Sequence, residues 1–306
     1  MEKLSELFAV PRTDINFDDT AYLSANPDVA EALDRGQILS SWSHYVECGF
    51  SEHRKGVSDL TNAAITSLFN HSYPTPPERL ISRVHGSSDS QTFQKVGKRI
   101  ALDICRYSAS IVDFNRPLGI LDFGTGCGRI LAPMMSLANQ ARFTATDIDP
   151  EAITWCKEHY TCSSDGGRVQ FSINADLPPL ALSKDSFDFV YAISVFTHLP
   201  RDMGQAWLGE LARIIRPDGV LAISVANDRL IRSHLNSEER ARLDKEGFYY
   251  HPYGSTDGLP EYYQAAWHTR EYIERRWTEH FQIIKYIPWG IADHQDLILC
   301  RRNSSS

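Results

Sequence analysis

From Leu118 onward, short apolar runs alternate along the chain with longer stretches whose apolar residues recur at helical spacing. The runs are "GILDFG", "RFTATDI", "RVQFSI", "FDFVYAIS" and "GVLAISV", followed by "FQIIKYI" and "QDLILCRR". Such runs, bounded by turn residues, predict buried strands, and the stretches between them predict helices. Strand after helix after strand predicts an α/β fold with a doubly wound, mostly parallel sheet of seven strands. Parallel neighbours need crossover connections, and both sheet faces need covering. Ligands of such sheets lie at the carboxyl ends of the strands near the switch point, so the residues that end strands are the candidates for chemistry.

The chain before this alternation reads as helical. Residues 1–60 predict a small N-terminal helical module and residues 61–116 a helical linker and possible lid, leaving 117–302 as the main domain with an insertion at about 227–268. In "SANPDVAEAL", Asn26 precedes Pro27, and Val29, Ala30 and Leu33 fall at helical spacing, which predicts a cap followed by a first-turn proline. "FQKVGKRIALDICRYSASIVDF" places Val96, Ile100, Ile104 and Ile111 on one face and predicts an amphipathic helix. Tyr22, Leu23, Asn26 to Ala30, His44, Tyr45, Gly49, Glu52 and Arg54 resemble the pattern of a small helical module of bacterial multidomain proteins. A segment for interaction or homo-oligomerisation is the functional reading of it, and a packing appendage the plainer one.

Composition narrows the partners. The 306 residues, 42% of them hydrophobic, suffice for a sizeable core. The net charge is -8 and the 31 Lys and Arg form no long run, so no nucleic-acid partner is expected. The start "MEKLSELFAVPRTD" lacks a basic region followed by an apolar one, and no membrane-spanning run occurs, which reads as cytoplasmic. Six cysteines, Cys48, Cys105, Cys127, Cys156, Cys162 and Cys300, are scattered without C-x-x-C pairs and read as reduced, mostly buried thiols. His294 and Asp296 form too common a pair to name a site, and no metal is expected.

The strand ends carry the chemistry. Gly124, Gly126 and Gly128 follow the first strand in "ILDFGTGCGRIL", at the place where a helix is expected to open and where missing side chains let a ligand approach the main chain. Asp147 ends the second strand, 21 residues beyond Gly126, where a carboxylate can accept hydrogen bonds from both hydroxyls of a ribose. A dinucleotide fingerprint would need glycine at position 129, which is Arg129. Asp122, just before the glycines, would repel a pyrophosphate and attract an ammonium or sulfonium group. The contacting end of the ligand is therefore expected to be cationic.

"ILDFGTGCGRIL", "TATDIDPEAI", "FDFVYAISVFTHL" and "RIIRPDGVLAISV" resemble the successive motifs of the class I S-adenosylmethionine-dependent methyltransferases, over about Ser82 to Arg302. The resemblance implies a Rossmann-like sheet and S-adenosylmethionine as cofactor. It implies that Asp122, Gly124, Thr125 and Gly126 hold the methionine portion, that Gly128 permits helix packing, and that Asp147 takes the ribose while Ile148 packs on the adenine. Asn174 or Asp176, in "NADLPPL", stands where the family addresses the adenine amino group, and Ser194 joins the cofactor set.

Asp149 before Pro150 reads as an N-cap, Pro217, Asp218 and Gly219 as a turn admitting the fifth strand, and Thr269 as the cap of "REYIERRW". On the acceptor side, His198 in "SVFTHLP" is the candidate base or acceptor orienter, with a capping histidine as the alternative. "SRVHGSSD" offers Arg83 and His85 to a cofactor carboxylate or to substrate, against a connecting loop with incidental charge. The insertion is longer than a crossover requires and rich in aromatic residues, which suits an organic acceptor. Tyr253, Tyr263 and His268 are its candidates to face substrate, most of its other aromatics being assigned to packing. The expected activity is methyl transfer to oxygen or nitrogen of a small organic acceptor. A cyclase or aminopropyl-type transferase of the same fold, a dehydrogenase, and an inactive cofactor-binding interaction protein are the alternatives.

Overall fold

The computed structural model describes residues 15–161, 167–251, 256 and 258–303. Among these, the strands are β1 (Gly119–Phe123), β2 (Arg142–Asp147), β3 (Val169–Ile173), β4 (Phe187–Ala192), β5 (Ile215–Ala226), β6 (Phe248–His251), β7 (Ala265–His268), β8 (Phe281–Ile291) and β9 (Gln295–Arg302). Seven of them form one sheet in the order β3-β2-β1-β4-β5-β9-β8. β1 to β5 run parallel, and β9 and β8 close one edge antiparallel. This is the doubly wound α/β sheet that the apolar runs predict. The chain reverses winding direction between β1 and β4, which places the switch point beside the end of β1.

The chain divides into two compact units. One holds the chain up to Pro117 and Arg129–Ala141; the other holds Leu118–Gly128, Arg142–Thr161 and the chain from Arg168 on.

In the first unit the helices are α1 (Asp19–Ala25), α2 (Pro27–Asp34), α3 (Ser41–His44) running into a π-helical turn, α4 (Asp59–Asn70), α5 (Glu78–His85), α6 (Ser90–Ser108) and α7 (Leu131–Leu137). Asp18, Ser40, Ser58 and Asp89 cap α1, α3, α4 and α6 with side-chain oxygens. The residues that carry the module resemblance are one another's partners. Tyr22 and His44 share a hydrogen bond of 2.9 Å. Arg54 donates to both oxygens of Asp28 and to Glu52. A Cβ on Gly49 would lie 2.3 Å from the Tyr22 hydroxyl. Asn26 precedes α2 without a side-chain capping bond; its amide donates instead to the carbonyls of Tyr22 and Lys55, at 2.8 and 2.9 Å.

α6 departs from a one-faced amphipathic helix. Its middle, from Gly97 to Cys105, is buried on every side, Val96 is only half-buried, and Ile111 lies beyond the helix end. Buried charges are tolerated there because they are paired: Arg99 bonds Asp103 at 3.0 Å, and Trp42 Nε1 donates to the same carboxylate at 2.6 Å. All of α7 is buried too, as expected for a helix apolar on all sides.

In the second unit, α8 (Pro150–Tyr160), α9 (Arg201–Ile214) and α12 (Arg270–Arg276) accompany the sheet, while α10 (Asp228–His234), α11 (Ser237–Glu246) and the β6–β7 ribbon belong to the insertion. Its core joins Leu121, Val190, Leu221 and Ile298 of the strands to Trp207, Leu211 and Trp277. Pro217, Asp218 and Gly219 fall inside β5 rather than before it. They form an excursion where the β4–β5 register slips between Phe187↔Ile215 and Phe189↔Val220. Cys105, Cys127, Cys156 and Cys300 are buried and Cys48 is exposed, none of them in a disulfide; Cys162 lies outside the described residues. No helix among the described residues is long and apolar enough to cross a membrane.

Gly97 gives a test of this packing. Alanine in mid-helix ordinarily stabilises by about 1 kcal/mol relative to glycine, yet a Cβ here would lie 2.2 Å from the Arg129 carbonyl oxygen. Gly97→Ala is expected to destabilise by roughly 1–3 kcal/mol in urea denaturation, and a gain in stability would contradict the contact.

Candidate functional site

Asp122 lies on the central strand of the parallel sheet, in register with Ala145 of β2 and Tyr191 of β4, and its side chain is 3% exposed. Two residues later the backbone enters the left-handed region at Gly124 (φ +82°), and returns to it at Gly126 (φ +54°) and Gly128 (φ +82°), a path that glycine adopts without steric cost. The loop is anchored to the neighbouring strand, since Gly124 N and Thr125 N both donate to the Thr146 carbonyl at 2.8 and 3.0 Å. Close packing requires glycine as well. A Cβ on Gly124 would lie 2.3 Å from Val195 Cγ2, and one on Gly128 2.7 Å from the Tyr160 ring of α8. The helix does not open at the glycines; α7 begins only at Leu131 after a run of turns.

The two strand-end carboxylates are tied to this loop. Thr125 Oγ1 donates to Asp122 Oδ2 at 2.8 Å. Gly126 N donates to Asp147 Oδ2 at 2.6 Å and Asp149 N to Asp147 Oδ1 at 2.9 Å. Burial pushes Asp122 up to about 7 and Asp147 up to about 6, against the amide and hydroxyl bonds that favour their charge. The negative charge of Asp147 adds to the shift at Asp122. Each carboxylate oxygen has two lone pairs, so both groups keep acceptor capacity. The result is a pair of desolvated acids whose ionised form gains from any cation or hydroxyl donor brought to it.

Asn174 continues the line along β3. Its N–H donates to the Asp147 carbonyl at 3.0 Å and its amide nitrogen to the Ala175 carbonyl at 2.9 Å, while its Oδ1 is buried and receives no donor. Ile148, next to Asp147 in sequence, is half-buried, and Asp149 caps α8 by accepting from Glu151 N and Ala152 N. Asp176 is exposed and accepts the Tyr262 hydroxyl at 2.9 Å.

Beyond β4, Ser194 holds a left-handed φ of +60°, unusual for a residue with a Cβ. A network over-determines it: Ser194 N donates to Ser224 Oγ at 2.7 Å, and both serine hydroxyls donate to Gln295 Oε1, at 3.1 and 2.6 Å. Four residues on, His198 Nδ1 is 2.8 Å from the Gln264 carbonyl, and its ring stacks on Tyr263 with centroids 4.1 Å apart. A carbonyl can only accept, so Nδ1 carries the proton and Nε2 presents a lone pair. Burial lowers the His198 pKa and favours the neutral ring.

His268 is enclosed by Phe248, Tyr272 and Trp277 inside the insertion, where burial pushes its pKa down to about 3. Thr269 caps α12 by accepting Tyr272 N. Asp296 is engaged by Asn227, Tyr286 and Trp289 rather than paired with His294. Tyr253 lies outside the described residues. Arg83 and His85 belong to α5 in the first unit, with His85 Nδ1 3.3 Å from Arg129 Nη1. Sequence reasoning did not single out Tyr262, Gln264, Ser224 or Gln295. Only the aromatic density of the insertion hinted at the first, and nothing in spacing hinted at the others.

Comparison with known proteins agrees with this geometry. The family model described as "Methyltransferase domain" matches residues 120–219. The tRNA N(3)-methylcytidine methyltransferase trm141 of Schizosaccharomyces pombe is 29% identical over 136 residues, covering 43% of this chain and 54% of that protein. The methyltransferase GfsG of Streptomyces halstedii is 30% identical over 129 residues, covering 42% of this chain and 43% of its own length. The chain thus spans about half the length of the curated relatives it matches. The solved structure of the PH0226 protein from Pyrococcus horikoshii OT3 shares the fold, with a TM-score of 0.51 at 13% identity over 70% of this chain and 93% of that one. The strand order and the glycine loop beside two strand-end acids agree with the match of residues 120–219 to the methyltransferase domain model.

Proposed function

We propose that the protein transfers a methyl group from S-adenosylmethionine to an oxygen or nitrogen of a small organic acceptor. The observation that carries this reading is the pair of acids, the buried Asp122 and the half-buried Asp147, fixed to the glycine loop at the switch point. The residues fit the cofactor chemically. Asp122 favours a positive charge nearby, Asp147 accepts from ribose hydroxyls, and the donor-free Oδ1 of Asn174 suits an amino group such as that of adenine. Gly124, Thr125 and Gly126 leave the main chain open to the amino-acid end, and Ile148 offers an apolar surface to the base. Gly128 serves the packing of α8.

When bound, S-adenosylmethionine supplies a methyl group already made electrophilic by its sulfonium. The chain's own work is then alignment, which can contribute roughly 7 kcal/mol or more, and removal of a proton from a hydroxyl acceptor. His198 Nε2 is suited to the second task, being held by the Gln264 carbonyl and neutral through burial. Ser194 and its network shape the wall between the cofactor loop and β5. Tyr263, stacked on His198, stands at the acceptor side.

A polyanionic acceptor suits the chain less well, given its net charge of -8, although one relative is named for action on tRNA. Incubation with methyl-labelled S-adenosylmethionine and either a metabolite extract or total tRNA separates the two. Label is expected in a small compound; label confined to tRNA would overturn the acceptor class.

Three consequences are measurable. Because the pKa of Asp122 is raised from an ordinary 3.8 to about 7, the folded chain holds a proton there that the unfolded chain has lost. Stability of the ligand-free protein should therefore fall as pH rises from about 4 to 7, and Asp122→Asn should raise its melting temperature by several degrees at pH 8. The same linkage runs opposite for cofactor. Affinity for S-adenosylmethionine, read by calorimetry, should weaken as pH drops from about 7 to 6, approaching tenfold per unit for one linked proton, and Asp122→Asn should lose the slope in that window, leaving only the part below about 6 that Asp147 contributes. His198→Asn, which keeps a nitrogen donor toward Gln264 but no Nε2, is expected to lower kcat on a hydroxyl acceptor about 100-fold while cofactor Kd stays within a few-fold. Full turnover would remove His198 as the base.

A further inference from the structure

One short segment of the insertion is bound at two separate strand ends. Tyr262 donates its hydroxyl to Asp176 Oδ1, in the loop after β3, at 2.9 Å. The Gln264 carbonyl accepts from His198, Tyr263 stacks on the same ring, and Ala266 N donates to the Thr197 carbonyl at 2.7 Å, all in the loop after β4. The segment is braced from outside, since Tyr250 donates its hydroxyl to the Tyr262 carbonyl at 2.7 Å and the Gln264 amide donates to the Glu261 carbonyl at 3.0 Å. The loop it grips is braced as well, with Trp207 Nε1 donating to the Asp176 carbonyl at 3.1 Å. The charge of Asp147 is near enough to help raise the Tyr262 pKa, after burial and Asp176 itself.

We propose that Tyr262 is a positioning residue that joins the two halves of the site, holding the Asp176 carboxylate at the cofactor's adenosine end while the next two residues orient His198 at the methyl end. This rests on the cofactor reading above. A carboxylate on an exposed loop samples many rotamers, and one hydrogen bond to a braced tyrosine removes most of that freedom before a ligand arrives. Because five consecutive residues span both contacts, the loop after β3 cannot move without drawing on the peptide that fixes the histidine.

The test uses the full chain and S-adenosylhomocysteine. Tyr262→Phe, which removes only a half-buried hydroxyl, should leave the ligand-free melting temperature unchanged, raise the Kd about five- to tenfold by calorimetry, and abolish ligand protection of the insertion against limited proteolysis. In an Asp176→Ala background the same substitution should add nothing to Kd, because its partner is gone. Unchanged Kd and protection in Tyr262→Phe, with wild type binding normally, would overturn the positioning role alone. Failure of the wild-type chain to bind would instead remove the cofactor reading and this inference with it.

Discussion

The site depends on the desolvation of two carboxylates. Asp122 and Asp147 stand near the carboxyl ends of adjacent strands of a parallel sheet, the first buried and the second half-buried, and this burial disfavours the charge of both. Neither could remain there without the amides and hydroxyl of the glycine loop, and the loop could not hold its left-handed path without glycine. Strand end, loop and acid are thus mutually required. The arrangement costs the free protein stability and returns it as attraction for a positively charged ligand bearing hydroxyl donors.

Much of this was legible in the sequence because the relevant forces act locally. Strands buried on both faces must be apolar runs, which marks the central strands β1 and β4, while the half-exposed edge strands β3 and β8 are marked by their β-branched and aromatic residues. Glycines needing positive φ and an acid ending each of two strands are likewise local features. Asp149 and Thr269 as caps follow from side-chain chemistry within three residues. The errors occur where a distant partner decides. Asn26 looked like a cap until Lys55, far along the chain, supplied a competing acceptor. α6 reads as one-faced, yet Arg99 and Asp103 neutralise each other and let the helix be surrounded. Pro217 to Gly219 carry turn chemistry, yet pairing with β4 at Ile215 and Val220 on either side makes them an excursion within the strand.

The acceptor side was the least legible part for the same reason. The aromatic residues of the insertion follow no clear period, and its tyrosines are indistinguishable by sequence. Tyr249 stacks on Trp267, Tyr250 braces a carbonyl, Tyr262 takes a carboxylate and Tyr263 covers a histidine. Four adjacent or paired tyrosines do four different things, each set by a partner from another element.

The hydrogen bond from the Trp42 indole to Asp103 reaches beyond local packing. It means that the short N-terminal helices and the long helix α6 share one buried ionic centre, completed by Arg99 and lying within reach of Ser43. Removing the first helices would leave a carboxylate in the interior with one donor fewer and its guanidinium partner uncovered. That part of the chain is therefore not an exchangeable cassette, and any descendant lacking it would need to rebuild the inner side of α6 with apolar residues.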